Sequence, residues 1–401
     1  MQKPSFRLAQ GFSAVGHFFI HFLTSIYFVI VLALEKDWNL PYHELIALWT
    51  IGSLLVGAGA LPSGWLADRW SARGMMVVFF LGIGAASIYC GFADGPLQLT
   101  IGLAGVGLFA AIYHPVGIAW LVRNARAQGK ALGFNGIFGA VGVSAAALVT
   151  GALIDLVGWR AAFVMPGALA ILCGFGMLWF MRSGHLAEGF EVERNEKPPS
   201  RAQMVRAVGI LLFAMLLSGI VFQATQAALP KHFEDRLGSM LGDGSFGIGA
   251  MVAIVYGVAG LVQYFGGHIA DRYNLKLVYV CAFLFQVPLL ALLAAAAGLP
   301  LVAAATLSVV LSTGLLPAEN MMLTRFTPER HRSFAFGVKY VVSFGTAPIA
   351  LQLIALVTDG AGGLSTLWLV LSAMAGIVFL ATLGLPGDRR APVAPAPAAA
   401  E

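Results

Sequence analysis

The chain has 401 residues, of which 59% are hydrophobic and only 11% are charged, and its formal net charge is +5. Because soluble domains carry about 25% charged residues, this composition excludes a protein whose whole surface faces water. Repeated apolar runs of about 20 residues predict transmembrane α-helices. Strands that alternate at every second residue are absent from the pattern, which argues against a transmembrane barrel.

Twelve apolar runs follow one another along the chain, and we predict that each crosses the membrane once. Their approximate bounds are 10–34, 43–66, 74–93, 97–122, 130–154, 160–182, 206–230, 245–269, 276–297, 300–324, 333–357 and 363–385. The first run follows Lys3 and Arg7, as a signal peptide would, but it is too long and contains His17 and His21. We therefore interpret it as the first span of an all-α integral membrane protein.

The basic residues predict the orientation. If both termini are cytoplasmic, 19 of the 24 Lys and Arg residues lie on the cytoplasmic side. The opposite side holds Lys36, Arg160, Lys231 and Arg236, and the remaining one, Lys339, lies inside a span. This asymmetry follows the positive-inside rule. We expect the protein to lie in a bacterial cytoplasmic (inner) membrane, and we expect it to be a monomer. The positive charge is explained by topology and by anionic lipid, so no nucleic-acid partner is expected.

The longest polar interruption, "SGHLAEGFEVERNEKPPSRAQ", separates six spans from six. We predict an N-terminal six-helix bundle over 1–182, a cytoplasmic linker over 183–205 and a C-terminal six-helix bundle over 206–385. The Pro/Ala-rich segment 386–401 is typical of a disordered tail.

A short loop occurs twice, once in each half. "GWLADRWSAR" follows the second span, and "GHIADRYNLK" follows the eighth at an offset of 203 residues. The residues that we expect to act in gating are Gly64, Asp68, Arg69 and Arg73 in the first copy and Asp271 and Arg272 in the second. Parallel repeats of this kind build an important class of transporters.

These loops resemble the signature of the major facilitator superfamily (MFS), and "GALIDLVGWRAAF" resembles that family's junction between helices 5 and 6. The resemblance extends over essentially the whole chain. It implies two pseudo-symmetric six-helix bundles and secondary transport by alternating access, without enzymatic activity or a cofactor. The triplet "YHP" in the fourth span is similar to the fosmidomycin-resistance branch.

The resemblance also implies a role for the first loop. In the family, the aspartate at the position of Asp68 holds the N-terminus of helix 11, a favourable place for an anion. We expect Gly64 to permit a tight turn. The alternative is simple anchoring of the membrane rim by Arg69 and Arg73.

Drug exporters of the family carry an arginine in helix 4 and a Gly-Pro pair in helix 5. Here the corresponding positions hold Ile101, Ala146 and Ala147. These departures weigh against a drug antiporter.

Polar and ionisable residues inside spans are costly, and they usually face a cavity or one another. The candidates for binding substrate or protons are His17, His21, Tyr113, His114, Asn135, Gln223, Gln226, Glu319, Asn320, Lys339 and Tyr340. Most fall at matching depths of the two halves, on spans 1, 4, 7 and 10, which line the central cavity in the family.

Two of these residues have opposite charges at similar depth. Glu319 lies six residues before Arg325, roughly 9 Å inside the cytoplasmic end. Lys339 lies seven residues after Arg332, at a similar height on the next span. The two side chains could pair, either as a structural ion pair or as part of proton coupling.

His114 and Pro115 lie side by side in an apolar span. We expect Pro115 to loosen the helix and free a carbonyl, and His114 to change charge near neutral pH. The alternative is that His114 only caps the freed backbone. Likewise, His17 and His21 could serve only as hydrogen-bond partners of a neighbouring helix.

The sequence favours a proton-coupled secondary transporter that exports a small organic molecule, with Glu319 and the histidines as candidate proton carriers. One alternative is uptake of an anion with Lys339 as the counter-charge. Another is transport of a divalent metal, because the histidines and Glu319 are plausible ligands. A membrane-embedded sensor or enzyme remains the alternative from a different class.

Overall fold

The computed structural model describes residues 5–124, 128–186, 201–242, 244–314, 316–327, 332–360 and 362–386. Over these residues the backbone is helical apart from short connections and one isolated bridge between Ser5 and Leu186. Eleven helices are long and apolar enough to cross a membrane, and a bent pair of helices makes a twelfth span. The chain is therefore an all-α integral membrane protein, as predicted.

We number the spans α1 to α12. The spans described as single helices are α3 (Ala72–Gly91), α5 (Gln128–Leu156), α6 (Trp159–Arg182), α7 (Arg201–Leu241), α8 (Ser245–Arg272), α9 (Leu275–Ala295) and α12 (Gly363–Leu383). The others comprise shorter segments: α1 (Phe6–Ser25, Tyr27–Trp38), α2 (Tyr42–Ala47, Thr50–Ala58, Ala60–Arg69), α4 (Pro96–Ala110, Tyr113–Gly117, Ile118–Arg123), α10 (Gly298–Gly314, Leu316–Phe326) and α11 (Arg332–Gly345, Ala347–Asp359). The near end of the bundle is the one where α1 begins, and the far end is opposite.

Two spans differ from the expected ones. α2 bends by 41° at Gly59, within the single span predicted over 43–66. α7 begins at Arg201, inside the predicted linker, and continues to Leu241 beyond the predicted far-end boundary. Its extension is stabilised by ion pairs of Lys231, because charged side chains at the membrane rim can pair along a helix face.

Residues 187–200 of the predicted linker and 387–401 of the tail lie outside the described residues.

The duplicated loops make the same turn in both halves. The hydroxyl of Ser71 accepts a hydrogen bond from the Gly74 amide at 3.1 Å and so caps the start of α3. The side chain of Asn274, 203 residues later, accepts from the Leu277 amide at 3.1 Å and caps α9. Ser and Asn are favoured at helix N-caps because their oxygen satisfies a free N–H group.

The matched basic residues of the loops also make equivalent contacts. Arg73 donates to the Leu186 carbonyl at 2.8 Å, just beyond α6. Lys276 donates to the carbonyls of Leu383 and Leu385, at 2.8 and 2.7 Å, at the end of α12. In each half, a basic side chain at the start of the third helix thus forms hydrogen bonds with the backbone at the end of the sixth helix.

The Gly-Trp-Arg motif forms the turn from α5 to α6. Gly158 has a φ of 111°, which side chains disfavour. The indole of Trp159 donates to the Asp37 carboxylate at 2.9 Å, and Arg160 donates to Asp94 at 3.1 Å. The motif therefore joins the far-end loops of the N-terminal half.

α5 and α8 form a close seam between the halves. A Cβ on Gly249 would lie 2.3 Å from the Ala147 carbonyl oxygen, and one on Gly260 would lie 2.5 Å from the Ala140 Cβ. Ser144 donates to the Ala253 carbonyl at 2.8 Å. Small residues allow this approach, which is a common basis of helix association in membranes.

Candidate functional site

The fourth span changes its winding at the histidine and proline. Tyr113–Gly117 forms a π-helical turn between two α-helical segments. Pro115 lacks an N–H group and cannot continue the α-helical hydrogen bonds, and such π turns are frequent at functional sites. The expected loosening of the helix at Pro115 is therefore present, and it places Tyr113 and His114 at the bulge.

Three histidines meet beside this bulge. The ring centroids of His17 and His21 lie 4.9 Å apart, as one helical turn on α1 predicts. Those of His17 and His21 lie 5.6 and 5.4 Å from the ring of His114. One ring nitrogen from each of the three lies within 4.8 Å of the other two. We call His17, His21 and His114 the histidine cluster.

A hydrogen-bond network holds one side of the cluster. His17 Nδ1 lies 2.7 Å from the backbone carbonyl oxygen of Asn135 on α5. The Tyr113 hydroxyl donates to the Ser13 carbonyl at 2.8 Å and accepts from Asn135 Nδ2 at 3.1 Å. The Ser13 hydroxyl donates to the Gly117 carbonyl at 3.1 Å. The network joins α1, α4 and α5 and fixes the plane of the Tyr113 ring, which stacks on His17.

His114 itself has no such partner. Its side chain is 8% exposed, and neither ring nitrogen forms a hydrogen bond with the described residues. The expected alternative, in which His114 only caps backbone freed by Pro115, is therefore wrong in this conformation. Its ring packs on Tyr340 and Phe344 of α11, with centroid distances of 5.5 and 4.6 Å. His114 thus lies at the contact between the two halves.

Glycines make room for these rings. A Cβ on Gly16 or Gly117 would lie 2.8 or 2.7 Å from the Tyr113 ring, and a Cβ on Gly139 would lie 2.7 Å from the His17 ring. Real Cβ atoms do not approach so closely, so a larger residue would displace the ring. These glycines are part of the site because they set the positions of its side chains.

The second polar group lies on the C-terminal half. Lys339 Nζ lies 2.6 Å from Glu319 Oε1, and both side chains are buried. The Tyr279 hydroxyl donates to Glu319 Oε2 at 2.8 Å, and Lys339 also donates to Asn320 Oδ1. The pairing predicted from depth is therefore present. Because Tyr340 follows Lys339, this ion-pair group is one residue from the ring that stacks on His114.

The two glutamines of α7 are not brought to these groups. Gln226 donates to the Ser25 hydroxyl at 3.0 Å, one turn beyond His21 on α1. Gln223 is half-buried and forms no hydrogen bond with the part of the chain that the structure describes. Their expected role in binding has no support from these contacts.

Among the predicted gating residues, Gly64 lies in a helix and not in a turn. Gly64 does not form the tight turn that we expected, because it lies inside the helical segment Ala60–Arg69 and the turn occurs at Trp70 and Ser71. A Cβ on Gly64 would lie 3.5 Å from the Pro115 Cβ, so this glycine instead faces the bulge of α4.

The charged gating candidates lie at the near end. Asp68 is exposed and forms no hydrogen bond or ion pair with any described residue. Arg69 lies over the Trp65 ring at 4.4 Å. Arg272 is exposed at the end of α8, and the side chain of Asp271 lies outside the described part of the structure.

At the far end, charged groups join the halves. Lys231 on α7 lies 2.7 Å from Glu35 on α1 and 2.9 Å from Glu234. The Asp155 carboxylate, at the end of α5, accepts from the amides of Ser245 and Phe246 at 2.9 and 2.8 Å. These two amides begin α8, so the carboxylate caps a helix N-terminus.

The sequence analysis missed Ser13, Tyr279 and Phe344. Ser13 had a signal, because it precedes His17 and His21 at a spacing of four on the same face. Phe344 follows Tyr340 at the same spacing. No sequence pattern pointed to Tyr279, since its contact with Glu319 depends on how α9 and α10 pack.

Twelve apolar spans, duplicated turns and buried ionisable groups at the contact between halves define a polytopic membrane protein with internal repeats. The sequence profile of the Major Facilitator Superfamily matches residues 13–259 and 238–401. The chain belongs to this superfamily.

Relatives of known name are distant. A nitrite extrusion protein of Bacillus subtilis (strain 168) is 24% identical over 66% of this chain and 64% of its own length. A probable 4-methylmuconolactone transporter of Cupriavidus pinatubonensis is 26% identical over 64% of this chain and 61% of its own. A probable L-galactonate transporter of Escherichia coli (strain K12) is 27% identical over 37% and 33%. The chain thus spans less than two thirds of the length of these curated relatives.

A solved structure supports the fold over the full length. The inward-facing, unoccupied form of a bacterial homolog of the human lysosomal transporter Spinster superposes with a TM-score of 0.73 at 15% identity. The superposition covers 98% of this chain and 100% of that one.

Proposed function

We propose that this chain is a proton-coupled secondary transporter that carries a small organic anion by alternating access. The observation that supports it best is the buried ion pair of Glu319 and Lys339, one residue from the contact between the halves. Buried ionisable groups inside spans of this kind mark substrate and proton pathways.

The contacts of the pair suggest how protons and an anion are coupled. Glu319 as a carboxylate neutralises Lys339 and accepts from Tyr279. When Glu319 takes up a proton, its charge is lost and Lys339 retains a positive charge beside Asn320. An anionic group of the solute can then pair with Lys339. Proton and anion binding therefore favour each other, because a buried charge is stable only with a partner.

The relatives are compatible with this class of solute. L-galactonate, in the name of one relative, is an organic anion, and nitrite, in the name of another, is an inorganic anion. Export of an organic compound, expected from the sequence, remains the second candidate. One relative, the nitrite extrusion protein of Bacillus subtilis, is named for export. Another, 31% identical over 130 residues, is a puromycin resistance protein of Streptomyces alboniger.

A transport assay in proteoliposomes can distinguish a role of the Glu319–Lys339 pair in proton coupling from a purely structural role. Organic acids are first screened for thermal stabilisation of the purified protein, since a ligand that binds the folded state raises its stability. The best ligand is then followed in proteoliposomes with and without a proton gradient. Glu319→Gln is expected to retain exchange of solute across the membrane but to lose accumulation driven by the gradient.

A variant that changes both Glu319 and Lys339 tests whether the pair is structural only. Either Glu319→Gln or Lys339→Met alone breaks a buried pair, at a cost of about 3–5 kcal/mol. The double variant is expected to recover thermal stability but not accumulation. Glu44→Gln, the same substitution at an exposed carboxylate on α2, is the control. Restored accumulation in the double variant would show that the pair is structural only.

A further inference from the structure

We infer that the histidine cluster is a binding site for a divalent transition-metal ion. This inference goes beyond the proposed transport function, because metal binding can be measured on the purified protein whether or not transport is coupled to protons. Three observations carry it: the convergence of three imidazoles, the tautomer of His17 and the unpartnered ring of His114.

The first observation is that three imidazole rings from two helices converge. The ring nitrogens of His17, His21 and His114 come within 4.8 Å of one another, although His114 lies on a different helix from the other two. Nitrogen ligands of a tetrahedral zinc ion lie about 2.0–2.1 Å from the metal, and therefore about 3.3 Å from one another. The rings need to approach by only about 1.5 Å to reach this geometry, which is within the reach of side-chain torsions.

The second observation is the orientation of His17. His17 Nδ1 lies 2.7 Å from the Asn135 backbone oxygen and 3.1 Å from the Asn135 Nδ2. A backbone carbonyl can only accept a hydrogen bond, so the shorter contact requires the proton on Nδ1, and the Asn135 amide then donates to the Tyr113 hydroxyl. In a neutral ring, Nε2 then has the free lone pair. Histidine ligands of metals typically donate the other N–H to a carbonyl or carboxylate in this way, which fixes their tautomer and increases their basicity.

The third observation is the ring of His114. A buried polar atom without a partner is costly, yet both nitrogens of this 8% exposed side chain have no partner among the described residues. A histidine retained only for packing would be expected to donate its N–H to a nearby carbonyl. A bound metal ion accounts for one nitrogen of His114.

The chemistry of the cluster selects the class of ion. Three imidazoles without a thiolate suit zinc, cobalt, nickel or copper and disfavour calcium and magnesium, which require oxygen ligands. Three protein ligands leave at least one coordination position for water or a solute atom. Tyr340 and Phe344 of α11 cover His114, so the ion would lie where the two halves meet.

Equilibrium titration with Co²⁺ tests the site. Cobalt is the probe because its visible absorption reports nitrogen ligands and coordination number. The full-length protein in detergent is expected to bind one Co²⁺ with the spectrum of a low-coordinate imidazole site. His21→Ala and His114→Ala are each expected to weaken binding at least tenfold, the smallest loss seen when even an outer partner of a metal ligand is removed.

Two controls keep the test specific. His43→Gln removes a histidine near Asp359 at the far end and is expected to leave binding unchanged. Gly139→Ala places a methyl group 2.7 Å from the His17 ring and is expected to weaken Co²⁺ binding, whereas Gly136→Ala, with nothing within 4 Å, is expected to have no effect. This pair leaves all three ligands in place, so it remains informative if a histidine variant fails to fold.

Two results would contradict a metal site at the histidine cluster. The inference is overturned if the wild-type protein binds no Co²⁺, or if binding is lost in His43→Gln but retained in the cluster variants. Neither result would affect the proposed role of Glu319 and Lys339, which is tested by accumulation of the solute. Failure of the metal site and failure of the proposed function are thus distinguishable.

Discussion

At the scale of single residues, His114 is a buried titratable group at the contact between the two halves. It faces His17, His21 and Tyr113 on its own half and Tyr340 on the other. Across the interface its ring packs on the rings of Tyr340 and Phe344, so its surroundings must change when the halves separate. A state-dependent affinity for protons is what a coupled carrier requires.

We therefore expect His114→Ala to flatten the pH dependence of transport between roughly pH 5 and 8, the range in which histidine titrates. The variant should slow transport without preventing folding. The measurement is the initial rate of solute transport in proteoliposomes across this pH range. Protons and a metal ion compete for the same nitrogens, so the profile is recorded with a chelator present.

Pro115→Ala is the matched variant at the neighbouring position. It alters the bulge of α4 but not its charge, so the rate should fall while the shape of the pH profile stays unchanged. An unaltered pH profile in His114→Ala would mean that His114 is a packing residue and that titration occurs elsewhere.

At the scale of secondary-structure elements, α5 and α8 are joined in two ways. Small residues bring the helices together along the seam, and Asp155 caps the N-terminus of α8 at the far end. The carboxylate is exposed, so its interaction with the helix dipole contributes about 0.3–1 kcal/mol. This is too little to determine the fold but enough to bias a conformational equilibrium.

Asp155→Asn should therefore increase the population open at the far end by roughly two- to fivefold, which is what about 0.3–1 kcal/mol corresponds to. The measurement is the labelling rate of a single cysteine introduced at the far-end contact, with a reagent that does not cross membranes. Asp94→Asn is the control, because Asp94 pairs with Arg160 within one half. Equal labelling of the Asp155 variant and the wild type would argue that the cap has no gating role.

At the scale of the whole molecule, the two ends of the bundle differ. The far end is joined by the ion pairs of Lys231 and by the Asp155 cap. At the near end, Asp68 makes no described contact, although the resemblance to the family implies that it holds the start of α11. We interpret this conformation as one in which the far end is closed, and the Asp68 contact as belonging to another state of the cycle.

Asp68→Asn consequently should leave the thermal stability of this conformation unchanged, because no described contact of Asp68 is lost. Transport should fall several-fold, since a state closed at the near end loses its latch. Melting temperature and membrane yield, compared with the initial transport rate, test the prediction. A wild-type transport rate in Asp68→Asn would leave rim anchoring by Arg69 as the function of the loop.

The local properties of the chain were sufficient to predict the spans and part of the site. Hydropathy, the rise per residue of a helix and the repeat at 203 residues are all present in the sequence. They predicted twelve spans, the proximity of His17 and His21 and the pairing of Glu319 with Lys339. Each depends on position along a helix axis, which the sequence specifies directly.

Only the tertiary structure decided which groups meet across helices. The Asn135 carbonyl reaches His17 over 118 residues, Tyr279 reaches Glu319 over 40, and Gly64 faces the bulge of α4 and not a turn. These contacts depend on the rotation of each helix about its axis and on its packing partners. In a membrane, both are set by close packing of small residues between helices, so they follow from the assembled bundle and not from any single span.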